Sequence, residues 1–227
     1  MKSVLDSSVR FWHPAELEQV ILEIGMLPFF ECSIPGFSVS EHTPAELWFN
    51  DGVEGPWEWK GPLIQLGHCA YGKFFGRKAG WIALDCLPDF VNVRRHGRPL
   101  PPEDSQQPER LIYEVLTLDQ DVLSSQLKKE VGLYGMKMKS TFEKYMATLQ
   151  MGLYACISDF EYNIDKHGNR YGWGLARYST PEAMYDADFV RSAMQGRSPE
   201  ESLNRLAARL QKAWPDATER QIFKLLR

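Results

Sequence analysis

Four consecutive residues, Trp57-Glu58-Trp59-Lys60, set a carboxylate between two indoles and beside an amine. A carboxylate enclosed by aromatic surface loses hydration and holds its proton more tightly. It can then act on a nucleobase stacked against tryptophan. In that arrangement Trp57, Trp59 and Tyr71 line a base-stacking pocket and Glu58 is the catalytic carboxylate. The same four residues also alternate with the period of a strand, which would bury both indoles and leave Glu58 and Lys60 in water. Asp159 and Glu161 alternate in the same way with Phe160 and Tyr162 and read as exposed strand positions. His13, His42, His68, His96 and His167 do not pair with one another or with a carboxylate at ligand spacing. Cys32, Cys69, Cys86 and Cys156 are far apart and read as reduced, mostly buried thiols. There is no glycine-rich phosphate loop and no nucleophile elbow. Neither a metal nor a cofactor is expected.

The remaining chemistry is cationic. Lys137, Lys139 and Lys144 cluster within one short stretch, Lys166, His167 and Arg170 within another, and Arg177 follows. Arg94-Arg95, with Arg98, form a further basic group. Cations on flexible stems neutralise phosphates; they also serve as the solvated face of an ordinary domain.

The elements that would position these cations lie between Glu109 and Tyr178. Leu111, Ile112, Val115 and Leu116 mark one face of a first helix. Ser124 to Lys129 starts a second with a serine N-cap, and Gly132 and Gly135 break the pattern. Ser140-Thr141-Phe142-Glu143 has the spacing of a capping box and opens a third, with Phe142, Tyr145, Met146, Leu149 and Leu153 as its stripe. Two aromatic-rich runs, Ala155 to Tyr162 and Tyr171 to Tyr178, flank a turn at residues 165–169 and predict a hairpin. Three helices and a hairpin follow the order of a winged helix, whose third helix enters the major groove while the hairpin touches the backbone. The fold class expected is α+β: a winged-helix core over 109–180, an N-terminal helical and small-sheet region over 1–100, a proline-rich linker over 101–108, and C-terminal helices over 181–227.

Around that core, Pro14 to Ile24 predicts a helix ended by Gly25, and Met26 to Glu41 predicts an ordered loop. Thr43-Pro44-Ala45-Glu46 predicts a helix running to Phe49. Ala70 to Phe75 and Gly80 to Leu84 predict a small antiparallel sheet, and Pro88 to Arg98 reads as irregular. Thr180-Pro181, Ser198-Pro199 and Thr218 open the last helices.

Composition sets the outer bounds. With 227 residues, 44% hydrophobic and 12% aromatic, the chain is globular. No apolar run has membrane-spanning length, and Met1 to Asp6 lacks a signal-peptide core, so a cytoplasmic location is the expectation. A formal net charge of -4 argues against a protein that coats nucleic acid indiscriminately but permits a local basic patch.

Laid out in this way, the chain resembles the AlkZ/YcaQ-type winged-helix DNA glycosylases, which remove alkylated bases or unhook interstrand crosslinks. The resemblance is carried by Leu123-Ser124-Ser125-Gln126-Leu127, Gly135-Met136-Lys137 and Phe142 to Leu149. Tyr71 to Pro88 with Arg94-Arg95, Arg177-Tyr178 with Pro181-Glu182, and Ser198 to Glu201 extend it. The family's Gln-x-Gln or Gln-x-Asp motif is missing: after Gly25-Met26-Leu27 its two polar positions hold Pro28 and Phe30. Neither can position a water or stabilise a sugar cation. The resemblance thus implies a protein that binds double-stranded DNA, with its own glycosylase activity in question. A non-catalytic transcriptional regulator or damage sensor is the first alternative, and a protein-interaction module is the second.

Overall fold

The computed structural model describes residues 5, 8–50, 52–101, 107–168 and 170–227, with backbone alone at 170, 171 and 173. Residues 102–106 of the expected linker and the side chain of Arg170 lie outside the described residues.

Helix α1 (Pro14–Ile24) opens with proline in its first turn and returns Glu16 to the N–H groups of Trp12 and His13. It stops at Gly25, whose φ of 96° suits a residue without a Cβ. Leu17, Val20, Ile21 and Ile24 form its buried face, as their spacing requires. The expected loop that follows contains strand β1 (Met26–Pro28) and helix α2 (Val39–His42), started by Ser38 accepting from the N–H of Glu41. The helix expected from Thr43 to Phe49 is only a 3-10 turn, Ala45–Leu47. Trp48 and Phe49 leave helical geometry to pack their rings on Phe29 and Trp57.

The larger correction concerns Trp57 to Lys60, which form no strand. They are the first turn of helix α3 (Pro56–Gln65). Pro56 is preset for a first turn, and Glu58 Oε2 accepts from the Gly55 N–H at 3.0 Å, satisfying an orphan donor at the helix start. Strands β2 (Cys69–Phe75) and β3 (Lys78–Ala83) form the expected hairpin about Gly76 and Arg77, both at positive φ. Pro88 to Arg98 is not irregular: helix α4 (Leu87–Arg94) occupies most of it. Residues Leu87 to Val93 are all buried, so no amphipathic stripe advertised the helix.

Next come helix α5 (Gln107–Asp119), strand β4 (Val122–Leu123), helices α6 (Ser124–Glu130) and α7 (Lys139–Met151), and strands β5 (Cys156–Ile164) and β6 (Arg170–Ser179). Two expected caps differ. Helix α6 begins at Ser124 itself with Leu123 before it, and α7 begins at Lys139 with no side-chain cap. Ser140 therefore lies inside the first turn of α7. Glu143 turns instead to Lys73 and Lys128, at 3.0 and 3.6 Å. Helices α8 (Pro181–Tyr185), α9 (Ala187–Gly196), α10 (Pro199–Ala213) and α11 (Glu219–Leu226) close the chain, capped by Thr180, Asp186, Ser198 and Thr218.

Among the described residues the strands make one antiparallel sheet in the order β1-β3-β2-β5-β6-β4. Its two hairpins meet where Tyr71 pairs with Ile157, and β4 closes the edge through Val122 against Tyr178. The fold is α+β. No helix among the described residues is long and apolar enough to cross a membrane.

Candidate nucleic-acid interface

After α6 the chain turns twice, through Gly132 at φ 71° and Gly135 at φ 102°, and enters α7 by the 3-10 turn Met136–Met138. Glycine is needed at both turns because other residues are strained there. The result projects side chains into water: Lys137, Lys139 and Lys144 are exposed, as are Tyr134 and Met136. Lys144 lies over the ring of Tyr145 and Lys129 over that of Tyr134. The neighbouring acid, Glu143, is held between Lys73 and Lys128.

The second cationic group sits at the tip of the β5–β6 hairpin. The Gly168 N–H bonds the carbonyl of Asp165, the Asp165 carboxylate accepts from the His167 N–H, and Lys166 and His167 are exposed. Ile164 and Leu175 are also exposed on this hairpin.

The three other arginines expected at phosphates are engaged within the protein. Arg94 donates to the carbonyls of Leu226, Leu225 and Met151 at 2.6, 3.0 and 3.3 Å, tying α4 to the C-terminal ends of α11 and α7. Burial lowers its proton affinity to a pKa of about 10. Arg95 is buried beneath Tyr154 and grips Glu182 with both terminal nitrogens, at 2.6 and 3.1 Å. Burial alone would raise the Glu182 pKa, but the bonds and charge of Arg95 override it and hold the carboxyl below its ordinary value. Arg177 is half-buried and bonds Asp121 and Glu161. Sequence spacing could not reveal these partners, which come from distant elements.

The aromatic pocket is also rearranged. Trp59 and Tyr71 are 3% exposed and belong to the core. Tyr71 packs against Trp81 at 4.4 Å and meets Phe29 and Phe160 at its edges, and burial pushes its phenol well up. Neither ring offers a free face to a base. Glu58 is exposed and caps α3, as described. Trp57 alone of the three aromatics is half-buried.

Lys60, which the strand reading left in water, is buried instead. A helix places it one turn beyond Trp57 on the same face. Its side chain is buried, with Nζ 3.2 Å from the centroid of the Trp57 ring and 4.2 Å from that of Phe160 on β5. Burial lowers its pKa to about 7, against the smaller opposing pull of Glu58.

An α+β protein with one shared antiparallel sheet and exposed lysines before and along helix α7 is the class defined by these elements. The family model described as AlkZ related matches residues 12–227, and the chain belongs to that family. A solved structure, the Streptomyces sahachiroi DNA glycosylase AlkZ, is similar at 11% identity and a TM-score of 0.48. The match covers 98% of this chain and 61% of that one, so this chain spans less than two thirds of its length. No curated protein matches.

Proposed function

We propose that the chain is a winged-helix DNA-binding protein, related to the alkylated-base DNA glycosylases and acting on duplex DNA without excising bases. One observation carries the reading: the order α5-β4-α6-α7-β5-β6, in which β4 pairs with the return strand of the hairpin. That is three helices and a three-stranded edge in winged-helix sequence, with exposed lysines at the start of the third helix and at the hairpin tip. In this reading 109–180 is the winged-helix unit, joined through 101–108 to the N-terminal region. Helix α7 approaches the major groove behind Lys137, Lys139 and Lys144, and Lys166, His167 and Arg170 follow the phosphates. A location in the cytoplasm accords with this role.

Membership of the AlkZ-related family supports the DNA partner. The sequence at the family's motif positions argues against catalysis, because Pro28 pairs within β1 and Phe30 is apolar. Glu58, engaged at the Gly55 N–H, is a poor substitute. In this reading the chain serves as a damage sensor or regulator.

Fluorescence anisotropy against a labelled duplex across a salt series tests this. Binding is expected to weaken steeply with salt. Replacing Lys137, Lys139 and Lys144 together by glutamate is expected to lower the logarithmic salt slope by about 3, roughly one per lost phosphate contact. Salt-insensitive binding, or a triple variant that binds as before, would reject the DNA reading and leave a surface for protein. Release of free base from an alkylated duplex, abolished in Glu58→Gln, would restore the catalytic one.

A further inference from the structure

Helix α7 and the turn before it, residues 131–151, offer no side chain suited to telling one base pair from another. Discrimination in the major groove comes chiefly from forked groups: arginine on guanine, asparagine or glutamine on adenine, a carboxylate on cytosine. This stretch has no arginine, asparagine or aspartate. Its one glutamine, Gln150, is buried; the side-chain oxygen accepts from the Lys73 N–H at 2.9 Å and the amide donates to the Met146 carbonyl at 3.2 Å. Its one carboxylate, Glu143, is held by Lys73 and Lys128. What α7 does expose is lysine, a mobile point charge that suits any phosphate, and Ser140, a hydroxyl that bonds any base.

The turn presents apolar surface instead. Met136 is 95% exposed and Tyr134 64% exposed. The turn is built, not frayed: Leu133 is buried at its foot with its N–H on the Lys128 carbonyl at 2.8 Å, and the Met138 N–H closes onto the Gly135 carbonyl at 3.1 Å. Nothing lies within 4 Å of the point where Gly132 or Gly135 would carry a Cβ, so the turn stands clear of the body. The cations beside it are Lys129, over the Tyr134 ring, and the exposed Lys137 and Lys139. Glu130, the nearest acid, accepts from Gln126. We propose that Met136 is a wedge that enters the base stack, so that the chain selects duplex DNA by weakened stacking and not by sequence. The inference rests on the DNA-binding reading and deepens it. The lysines supply affinity common to every sequence. An apolar side chain driven between base pairs breaks their stacking, and a mismatched step has part of that cost removed in advance. Of the two roles named above, a surface without base readers and with an apolar point fits the sensor of damaged DNA. Apolar side chains among lysines also suit an anionic lipid surface; the winged-helix order of the surrounding elements favours DNA, and the experiment separates the two.

Anisotropy is measured at one salt concentration on a matched duplex, on a second of the same composition in scrambled order, and on a third with a central mismatch. The two matched duplexes are expected to bind equally, and the mismatched one about tenfold more tightly, a fraction of the cost of unstacking a matched step. Met136→Ala, at a site too exposed to disturb folding, is expected to lose that preference while binding matched duplex as before. Met136→Leu, apolar and of similar size, is expected to keep it. Aminopurine placed beside the mismatch should brighten when the parent chain binds and not when Met136→Ala does. A strong preference for one matched sequence, equal binding to matched and mismatched duplex, or a preference that survives in Met136→Ala overturns the proposal and leaves the DNA reading intact. Binding to no duplex overturns both; sedimentation with phosphatidylglycerol vesicles, lost in Met136→Ala, then assigns the turn to lipid.

Discussion

At the scale of single residues, the decisive contrast is between cations that reach water and cations that do not. Lys137 and Lys139 are exposed because the turn at Gly135 carries the chain out before α7 begins. Arg94, Arg95 and Lys60 were not legible as engaged, because each is defined by partners that only the folded chain supplies. Lys60 has a measurable signature of its own. Its folded pKa lies near 7, below the unfolded value of about 10.4. Between those values the unfolded chain keeps a proton that the folded chain has released, so stability rises with pH across that window. Below pH 7 both forms are protonated and the whole cost of the buried charge is present. Thiols pushed up to about 12 at Cys69 and Cys86 act oppositely once unfolded thiols ionise, near pH 8.5 to 9. The clean comparison is therefore pH 7 against pH 8.5. Urea unfolding should show the parent chain gaining about 1–2 kcal/mol relative to Lys60→Met over that interval. Equal pH dependence in the two proteins would mean that the amine stays charged under its aromatic roof.

At the scale of elements, local signals were read correctly where one physical cause acted alone. Helix α1 and the closing helices follow their capping residues, and the β2–β3 and β5–β6 hairpins follow their turns. Two departures have a clear physical cause, one in competing signals and one in a missing signal. In Trp57 to Lys60 the strand-like alternation was outweighed by Gly55-Pro56 and Glu58, which start a helix. In α4 burial on all sides erased the periodicity on which detection relies. Gly55 itself has a stricter role than capping. A Cβ there would stand 1.8 Å from the backbone carbonyl oxygen of Leu47, which cannot swing aside as a side chain can. Gly55→Ala should thus push α3 off the 3-10 turn beneath it, at a cost of about 1–3 kcal/mol or more. Gly196→Ala, with open space around the added methyl, is the control and should be nearly neutral. Chemical denaturation of the two variants distinguishes them, and equal stability would refute the close approach.

At the scale of the whole molecule, the proline-rich stretch suggested a chain divided at residues 101–108, and hydrogen bonds tell how strongly the two sides are coupled. Strand β2 lies on one side and β5 on the other, yet Tyr71 pairs with Ile157 within one sheet. Arg94 adds a polar fastening across the same boundary. Its guanidinium serves the terminal carbonyls of α7 and α11, where a cation is favoured by the helix dipole and by acceptors that lack intrahelical donors. Such a body should unfold as one unit. Five of the seven tryptophans precede residue 101, so their fluorescence reports chiefly on the N-terminal side, whereas far-UV circular dichroism weighs helices on both. The two probes should give superimposable urea transitions in the parent chain. Arg94→Met keeps the apolar stem but orphans three carbonyls, and it should lower stability by about 2–4 kcal/mol. It should also separate the two transitions if this fastening, more than the sheet, enforces cooperativity. Two separated transitions in the parent chain would mean that the pairing of Tyr71 with Ile157 holds the halves side by side without making them fold together.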